Sequence, residues 1–290
     1  MRVLTCALVL GSLPLAGLAL RATQSQVKFG DRKDNFAIMN FRSQLVEGNI
    51  TDGFSFTFSG TPLTGYSRSQ GLEFSAQSLT GRAVSDKQGG LVLRNAKATG
   101  SVQVEITRVE ASGTKIEGRI NSNSLTLDDP GDRATITIPS NFTYRQTDTE
   151  KAGNRILTLT GGSGTVVVDT LKAVSKSPLR SANVVGPVKV TIKSTAVGKD
   201  KETTTDMVAT GSRLTYDGAT RTMVLSGNVE FDGSQNDATG AGFLGKMNAD
   251  KLTVWFVDDK FEVKNFRLEG GPGSATVQET PPKKGGGGKR

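Results

Sequence analysis

The sequence predicts an all-β protein in which short antiparallel strands repeat along one sheet. Apolar and polar residues alternate in many short runs of the 290-residue chain, and residues two apart on a strand lie on the same face of a sheet. Ser, Thr and Val dominate those runs, which favours strands over helices. Glycine is abundant, at 35 residues, and several runs begin with it. A chain of this length can bury a sizeable core.

Residues 207–271 contain the clearest strands. Within residues 222–231, four apolar residues share one parity, with Gly227 between the two apolar pairs, and four of the five residues of the other parity are polar. A strand with this pattern has one continuous apolar face. Residues 211–218 and 247–256 flank this run and are also predicted to be strands.

Two patterns recur outside this stretch. The first is an apolar residue that leads through small or polar residues to a leucine, at residues 74–79, 120–125, 209–214 and 247–252. The second is a glycine followed by alternating β-branched residues, at residues 100–106, 164–168, 186–192 and 227–231. Their recurrence predicts a repeated two-strand unit with loops of varying length. A degenerate copy is expected between Leu125 and Leu214.

The glycines that begin these runs predict how the sheet curves. Glycine inside a strand usually marks a bulge, a bend or a close backbone approach. A bend at one level of every strand would curl the sheet into an open trough, and Gly227, Asn228 and Val229 form the clearest predicted bend. The alternative is that the glycines end ordinary hairpins in a β-sandwich. Chain turns are predicted at residues 128–131, 161–164, 217–218, 232–233 and 258–259.

Both ends of the chain differ in composition from the body. Residues 1–22 are predicted to be a signal peptide, with Arg2 before an apolar run and small residues near its end. An uncleaved membrane anchor is the alternative, because the run is just long enough to span a bilayer. Residues 23–35 are predicted to be a polar leader, residues 36–280 the folded body, and residues 281–290 a disordered basic Gly/Lys tail.

Composition argues against several functional classes. The chain has no histidine, and its one cysteine, Cys6, lies in the predicted signal peptide. Neither of the phosphate-binding glycine motifs, G-x-x-x-x-G-K-[ST] and G-x-G-x-x-G, is predicted to lie between a strand and a helix. The paired aspartates fall in predicted turns, where aspartate is favoured for backbone reasons. The net charge is +8, with four positive charges in the basic tail, and is interpreted as favouring solubility. We therefore predict no catalytic residue, metal, cofactor or nucleic-acid partner.

Residues 207–271 resemble the OstA/LptA family of lipopolysaccharide-transport β-jellyroll domains. The matching residues are Ala209, Leu214 and Tyr216 in the first strand, Leu225 and Gly227-Asn228-Val229 in the second, and Asn248-Ala249-Asp250 and Leu252 in the third. A closing hairpin at residues 261–268 follows, and Gly270 and Gly271 end it.

The resemblance implies a folded-over antiparallel sheet, shaped like a taco, in the periplasm. Its inner face would hold the acyl chains of lipopolysaccharide or a similar glycolipid, without catalysis. Its open edges would pair with other jellyroll transport proteins or with a second copy of the chain. The predicted lipid-groove residues are Leu214, Tyr216, Met223, Leu225, Val229, Phe231, Leu252, Val254 and Phe256. The alternative is an exported structural β-solenoid or scaffold that binds no lipid.

Overall fold

The computed structural model describes residues 26–29, 36–49, 52–67, 72–85, 91–109, 113–129, 133–150, 153–169, 179–197, 202–237, 242–256, 263–270 and 275–280. These residues form sixteen strands and no helix. Within them, no helix is therefore long and apolar enough to cross a membrane. The predicted signal peptide and the predicted basic tail lie outside the described residues.

The strands are of two kinds, long continuous ones and shorter pieces. The first eight are β1 (Gln26–Phe29), β2 (Phe36–Asn49), β3 (Gly53–Ser67), β4 (Leu72–Ser85), β5 (Leu91–Val109), β6 (Lys115–Asp128), β7 (Arg133–Ile138) and β8 (Phe142–Glu150). The other eight are β9 (Gly153–Gly161), β10 (Ser163–Asp169), β11 (Leu179–Val197), β12 (Glu202–Asp217), β13 (Thr222–Asp237), β14 (Gly242–Phe256), β15 (Val263–Glu269) and β16 (Ala275–Thr280).

All sixteen strands belong to one antiparallel sheet whose neighbours follow chain order. Two rows of this sheet are built from two consecutive strands each: β7 with β8, and β9 with β10. Both pieces of the first row pair with β6, and both pieces of the second pair with β11. At the far end, β15 and β16 pair with different parts of β14. The predicted all-β class is confirmed.

A line of bends crosses the middle of the sheet. The pairing register shifts there on successive strands, for example between Val185 and Val188 and between Ser226 and Val229. Gly227 and Asn228 both have positive φ, at 82° and 50°, which glycine and asparagine tolerate best. The bend predicted at this position is confirmed, and Gly100 and Gly186 occupy the same level with φ of 78° and 100°.

The bends divide the sheet into two half-sheets. The β7 half-sheet contains β7, β10, β15 and the segments of the long strands paired on that side, such as residues 213–217, 222–226 and 251–256. The β8 half-sheet contains β1, β8, β9, β16 and the remaining segments, such as residues 202–210 and 229–237.

The two half-sheets fold over and pack against each other. Phe231 belongs to the β8 half-sheet and Phe266 lies on β15 in the β7 half-sheet, yet their rings stack with centroids 5.4 Å apart. A Cβ atom on Gly211 would stand 2.9 Å from Cγ of Leu225, which lies beyond the bend. We call the face on which these contacts occur the inner face. The predicted folded-over β-jellyroll, built from repeated two-strand units, is confirmed.

Two predicted turns are wrong. Asp232 and Gly233 lie inside β13, which continues to Asp237. Gly233 is needed there because a Cβ atom would stand 2.6 Å from the ring of Phe231. The glycine-rich residues 161–164 do not reverse the chain either, since they form the bend between β9 and β10, which both pair with β11. In both places glycine makes room for packing, whereas the pattern suggested a reversal.

The turn predicted at residues 217–218 is confirmed, whereas the predicted polar leader is partly strand. The chain does reverse after Asp217, whose carboxylate accepts hydrogen bonds from the backbone N–H of Ala219 and the hydroxyl of Thr220, both at 2.9 Å. The predicted polar leader, in contrast, contains a strand, because Gln26–Phe29 pairs with the start of β2. That pairing extends the sheet by one short strand.

The interior contains two apolar clusters. One draws on buried residues from Ile38 to Val104, and the other on buried residues from Ile138 to Phe256. The half-buried side chain of Ile120 on β6 packs against both clusters. The apolar inner face therefore runs along the sheet, and β6 lies where the two clusters meet.

Candidate functional site

The nine residues predicted to line a lipid groove all lie on the inner face, in the second apolar cluster. Val229 and Phe231 belong to the β8 half-sheet, and the other seven belong to the β7 half-sheet. None of the nine is more than 6% exposed. The structure therefore brings all nine together as packed side chains, and their contact with lipid stays a prediction.

Strand register explains this packing. Leu214 pairs with Leu225, which pairs with Leu252 on the next strand. Residues directly opposite on neighbouring strands point to the same side of the sheet, so the three leucines form one inner row. Across β12 to β14, the ring of Tyr216 comes within 6.4 Å of the ring of Phe256. Leu214 and Leu252 each follow the bend of their strand, which is why the repeated pattern ends in leucine, whereas Leu225 precedes the bend of β13.

The more accessible part of the inner face lies in the middle of the sheet. Its apolar residues are half-buried: Ile120, Leu125, Leu127, Ile136, Leu159, Val166 and Ala182. Register places them inward, because Leu127 pairs with Ile136, and Ile136 with Val166. The sequence analysis did not identify them as site residues. The alternation of Ala134, Ile136 and Ile138 is the signal that could have found them.

The repeated unit changes at this central position. Residues 159–164 match the leucine pattern of residues 247–252, but Gly164 stands where Leu252 would be. This segment fits the degenerate copy expected between Leu125 and Leu214. The ring of Phe142 takes up part of the missing volume, because a Cβ atom on Gly161 or Gly164 would stand 3.0 or 3.1 Å from it. The row formed by β9 and β10 therefore contributes less apolar volume to the interior than the neighbouring strands do.

Polar side chains also occur on the inner face at this central position. They lie on β8 at every second residue after the buried Phe142: Tyr144, Gln146 and Asp148. The Tyr144 hydroxyl donates to Oε1 of Gln146 at 2.6 Å, and Nε2 of Gln146 donates to Oδ1 of Asp148 at 2.8 Å. The Arg155 guanidinium on β9 lies 4.0 Å from the Asp148 carboxylate. The sequence analysis missed this cluster because no apolar alternation marks it.

The sheet has two different outer edges. Beyond Met39, β2 pairs with β3 alone among the described strands. Leu45 and Val46 on this edge are 55% and 44% exposed. At the other end, β15 carries Arg267 and Glu269, and Glu269 also pairs with Lys251 at 2.7 Å. The hydrogen bond from Lys251 holds the pKa of the Glu269 carboxyl below its ordinary value of 4.5.

The described residues include no group of three or more histidine, cysteine, aspartate or glutamate side chains that could hold a metal ion. Comparison of the chain with protein-family models, curated proteins and solved structures found no match. The fold and its interior define the class: an antiparallel β-sheet folded over an apolar inner face.

Proposed function

We propose that this protein is a periplasmic lipopolysaccharide-transport protein. It holds the acyl chains of lipopolysaccharide or a similar glycolipid on its inner face, and it bridges the inner and outer membranes by pairing sheet edges with other jellyroll proteins. The observation that carries the proposal is the apolar inner face of the folded-over sheet, half-exposed at its centre. The resemblance of residues 207–271 to the OstA/LptA family supports it.

The energetics of such binding are favourable. Burying one methylene group contributes ~0.8 kcal/mol, so a twelve-carbon chain would gain about 9 kcal/mol before the cost of association, which takes back a large part of it. The half-buried residues at the centre, such as Ile136 and Leu159, are where a chain would first enter. Moving the half-sheets apart would break side-chain contacts across the interior. The hydrogen bonds between neighbouring strands would stay intact, because they lie within each half-sheet.

The edges suit a bridging role. An exposed strand edge offers unpaired backbone groups to another strand, and charged residues usually protect it. The free segment of β2 carries the charged residues Arg42 and Glu47, but it also exposes Leu45 and Val46. A strand added there would gain main-chain hydrogen bonds and cover both side chains. The partner would be another jellyroll protein or a second copy of this chain.

Site-specific photo-crosslinking in cells tests the lipid-binding proposal. A photoreactive amino acid at Ile136, on the inner face, should capture lipopolysaccharide. The same amino acid at the neighbouring Thr137, which is exposed on the outer face, is the control and should capture little. Equal capture at both positions, or capture at Thr137 alone, would contradict the proposal.

A structural scaffold that binds no lipid is the second candidate. Near-complete burial of the nine predicted groove residues, at 6% exposure or less, favours it, because packed side chains leave no room for an acyl chain at that end. Mass spectrometry of purified protein discriminates the two functions. A carrier should co-purify with glycolipid or take it up on addition, whereas a scaffold should do neither.

A further inference from the structure

The polar cluster on β8 and β9 is unusual within an apolar interior. Asp148 is 3% exposed and Gln146 is 8% exposed, and the Arg155 side chain is 17% exposed. Burying a carboxylate and a guanidinium costs several kcal/mol per ion before pairing, so replacing such a pair with apolar residues is often neutral or stabilising. Fold stability alone therefore does not account for these residues.

Gln146 has hydrogen-bonding capacity beyond the contacts described above. A glutamine amide carries two N–H donors and a carbonyl oxygen with two lone pairs. The bonds with Tyr144 and Asp148 use one lone pair and one N–H. The second N–H and the second lone pair can serve one incoming group that both donates and accepts.

We propose that this cluster binds a hydroxyl group on the acyl chain of the bound lipid, with Gln146 as the main partner. The inference rests on the proposed lipid-binding function and specifies its ligand as a hydroxylated acyl chain. A hydroxyl accepts from the second N–H of Gln146 and donates to its carbonyl oxygen or to a neighbouring oxygen of the cluster.

The charges of the cluster favour a neutral group. Asp148 and Arg155 offset each other, at 4.0 Å between carboxylate and guanidinium. An ionised ligand group placed beside them would leave one net charge in a largely buried site, which is costly. A hydroxyl adds hydrogen bonds and leaves the charge balance unchanged.

The position of the cluster also fits a hydroxyl near the polar end of the lipid. Strand β8 starts at the bend with Phe142 and runs outward through Tyr144, Gln146 and Asp148, so the charged pair lies farthest from the bend. Beside Gln146, Tyr144 pairs with Ile120 and Leu159 on the neighbouring strands, and both are half-buried and apolar. The chain beyond its hydroxyl therefore has apolar surface on either side.

Two neutral probes test the inference: methyl dodecanoate and methyl 3-hydroxydodecanoate, which differ only in the hydroxyl group. Their dissociation constants are measured by displacement of a fluorescent apolar dye from the purified protein. Wild-type protein should bind the hydroxylated ester about tenfold more tightly, the effect of one net hydrogen bond. Gln146→Leu should bind both esters with similar affinity. Gln103→Leu, an outer-face amide replaced in the same way, should keep the tenfold preference.

The possible results separate the hydroxyl site from the proposed lipid binding. Equal affinity of wild-type protein for the two esters overturns the hydroxyl site and leaves the proposed lipid binding standing, whatever the variants do. A preference that persists in a folded Gln146→Leu protein also overturns it. Binding of neither ester overturns the hydroxyl site together with the proposed lipid function. A tenfold preference that Gln146→Leu loses and Gln103→Leu keeps supports the site.

Discussion

At the residue scale, the fold depends on a few backbone conformations at the line of bends. Gly227 and Asn228 both adopt left-handed conformations, and Gly100 and Ser101 do the same on β5, with φ of 78° and 49°. Two such residues in succession turn the strand without ending it. The sheet then folds over while hydrogen bonding continues on both sides of the bend.

Replacing Gly227 with alanine should destabilise the protein by about 1–3 kcal/mol. Its φ of 82° is strained for a residue with a side chain, and the added Cβ would stand 2.9 Å from Cβ of Ser212. Asn228→Gly is the control, because glycine accepts the neighbouring left-handed conformation without steric strain. Urea denaturation measures both. Equal midpoints for Gly227→Ala and wild-type protein would contradict the role of the bend.

The turn after β12 gives a pH-dependent prediction. The hydroxyl of Thr220, and secondly the backbone N–H of Ala219, hold the pKa of the Asp217 carboxyl below its ordinary value of 3.8. These bonds therefore stabilise the turn above the ordinary pKa, and the contribution is lost as the pH falls through the lowered value. Thr220→Ala should raise the Asp217 pKa toward 3.8 in an NMR titration. Thr204→Ala, elsewhere on β12, should leave it unchanged.

At the scale of elements, the strands at the edges determine what the sheet can pair with. Strand β2 ends in a segment that pairs with β3 alone among the described strands, and it exposes two large apolar residues. Strand β15 at the other end carries an ion pair between Arg267 and Glu269. The two ends of the sheet therefore offer different surfaces to a pairing partner.

Leu45→Lys should weaken association through the β2 edge, because lysine on an edge strand opposes strand addition. Thr57→Lys is the matched control, since Thr57 lies opposite Leu45 on β3 and is exposed but not at the edge. Sedimentation velocity of purified protein, alone and with a jellyroll partner, measures association. Equal effects of the two substitutions would rule out pairing through this edge.

At the scale of the whole molecule, the sequence predicted the sheet, the bends and one inner face, because each leaves a local signal. The alternation in residues 222–231 indicates that one face of the strand is buried. Glycine at position 227, inside that strand, indicates a bend. The central site left little signal. Tyr144, Gln146 and Asp148 are polar on an inward face, and only the register of β6, β8 and β9 shows that they are buried.

The same limit explains the wrong turns at residues 161–164 and 232–233. Gly233 is explained by the ring of Phe231 and Gly161 by Val184 and Phe142, and most of these contacts come from other strands or from across the interior. A glycine chosen for packing cannot be distinguished from a turn glycine by its neighbours in sequence. Gly164 in place of leucine likewise reduces the apolar volume at the centre of the inner face. Only the strand register shows this effect, because it places Gly164 in line with Leu214, Leu225 and Leu252.

Spin labelling tests the central claim, that the inner face holds acyl chains. The only cysteine, Cys6, lies in the predicted signal peptide, so a single introduced cysteine can be labelled in the mature protein. A nitroxide at Leu159, on the inner face, should become immobilised when purified lipopolysaccharide is added, whereas one at the neighbouring Thr158, on the outer face, should keep its mobility. Unchanged spectra at both positions, or the same change at both, would contradict the account.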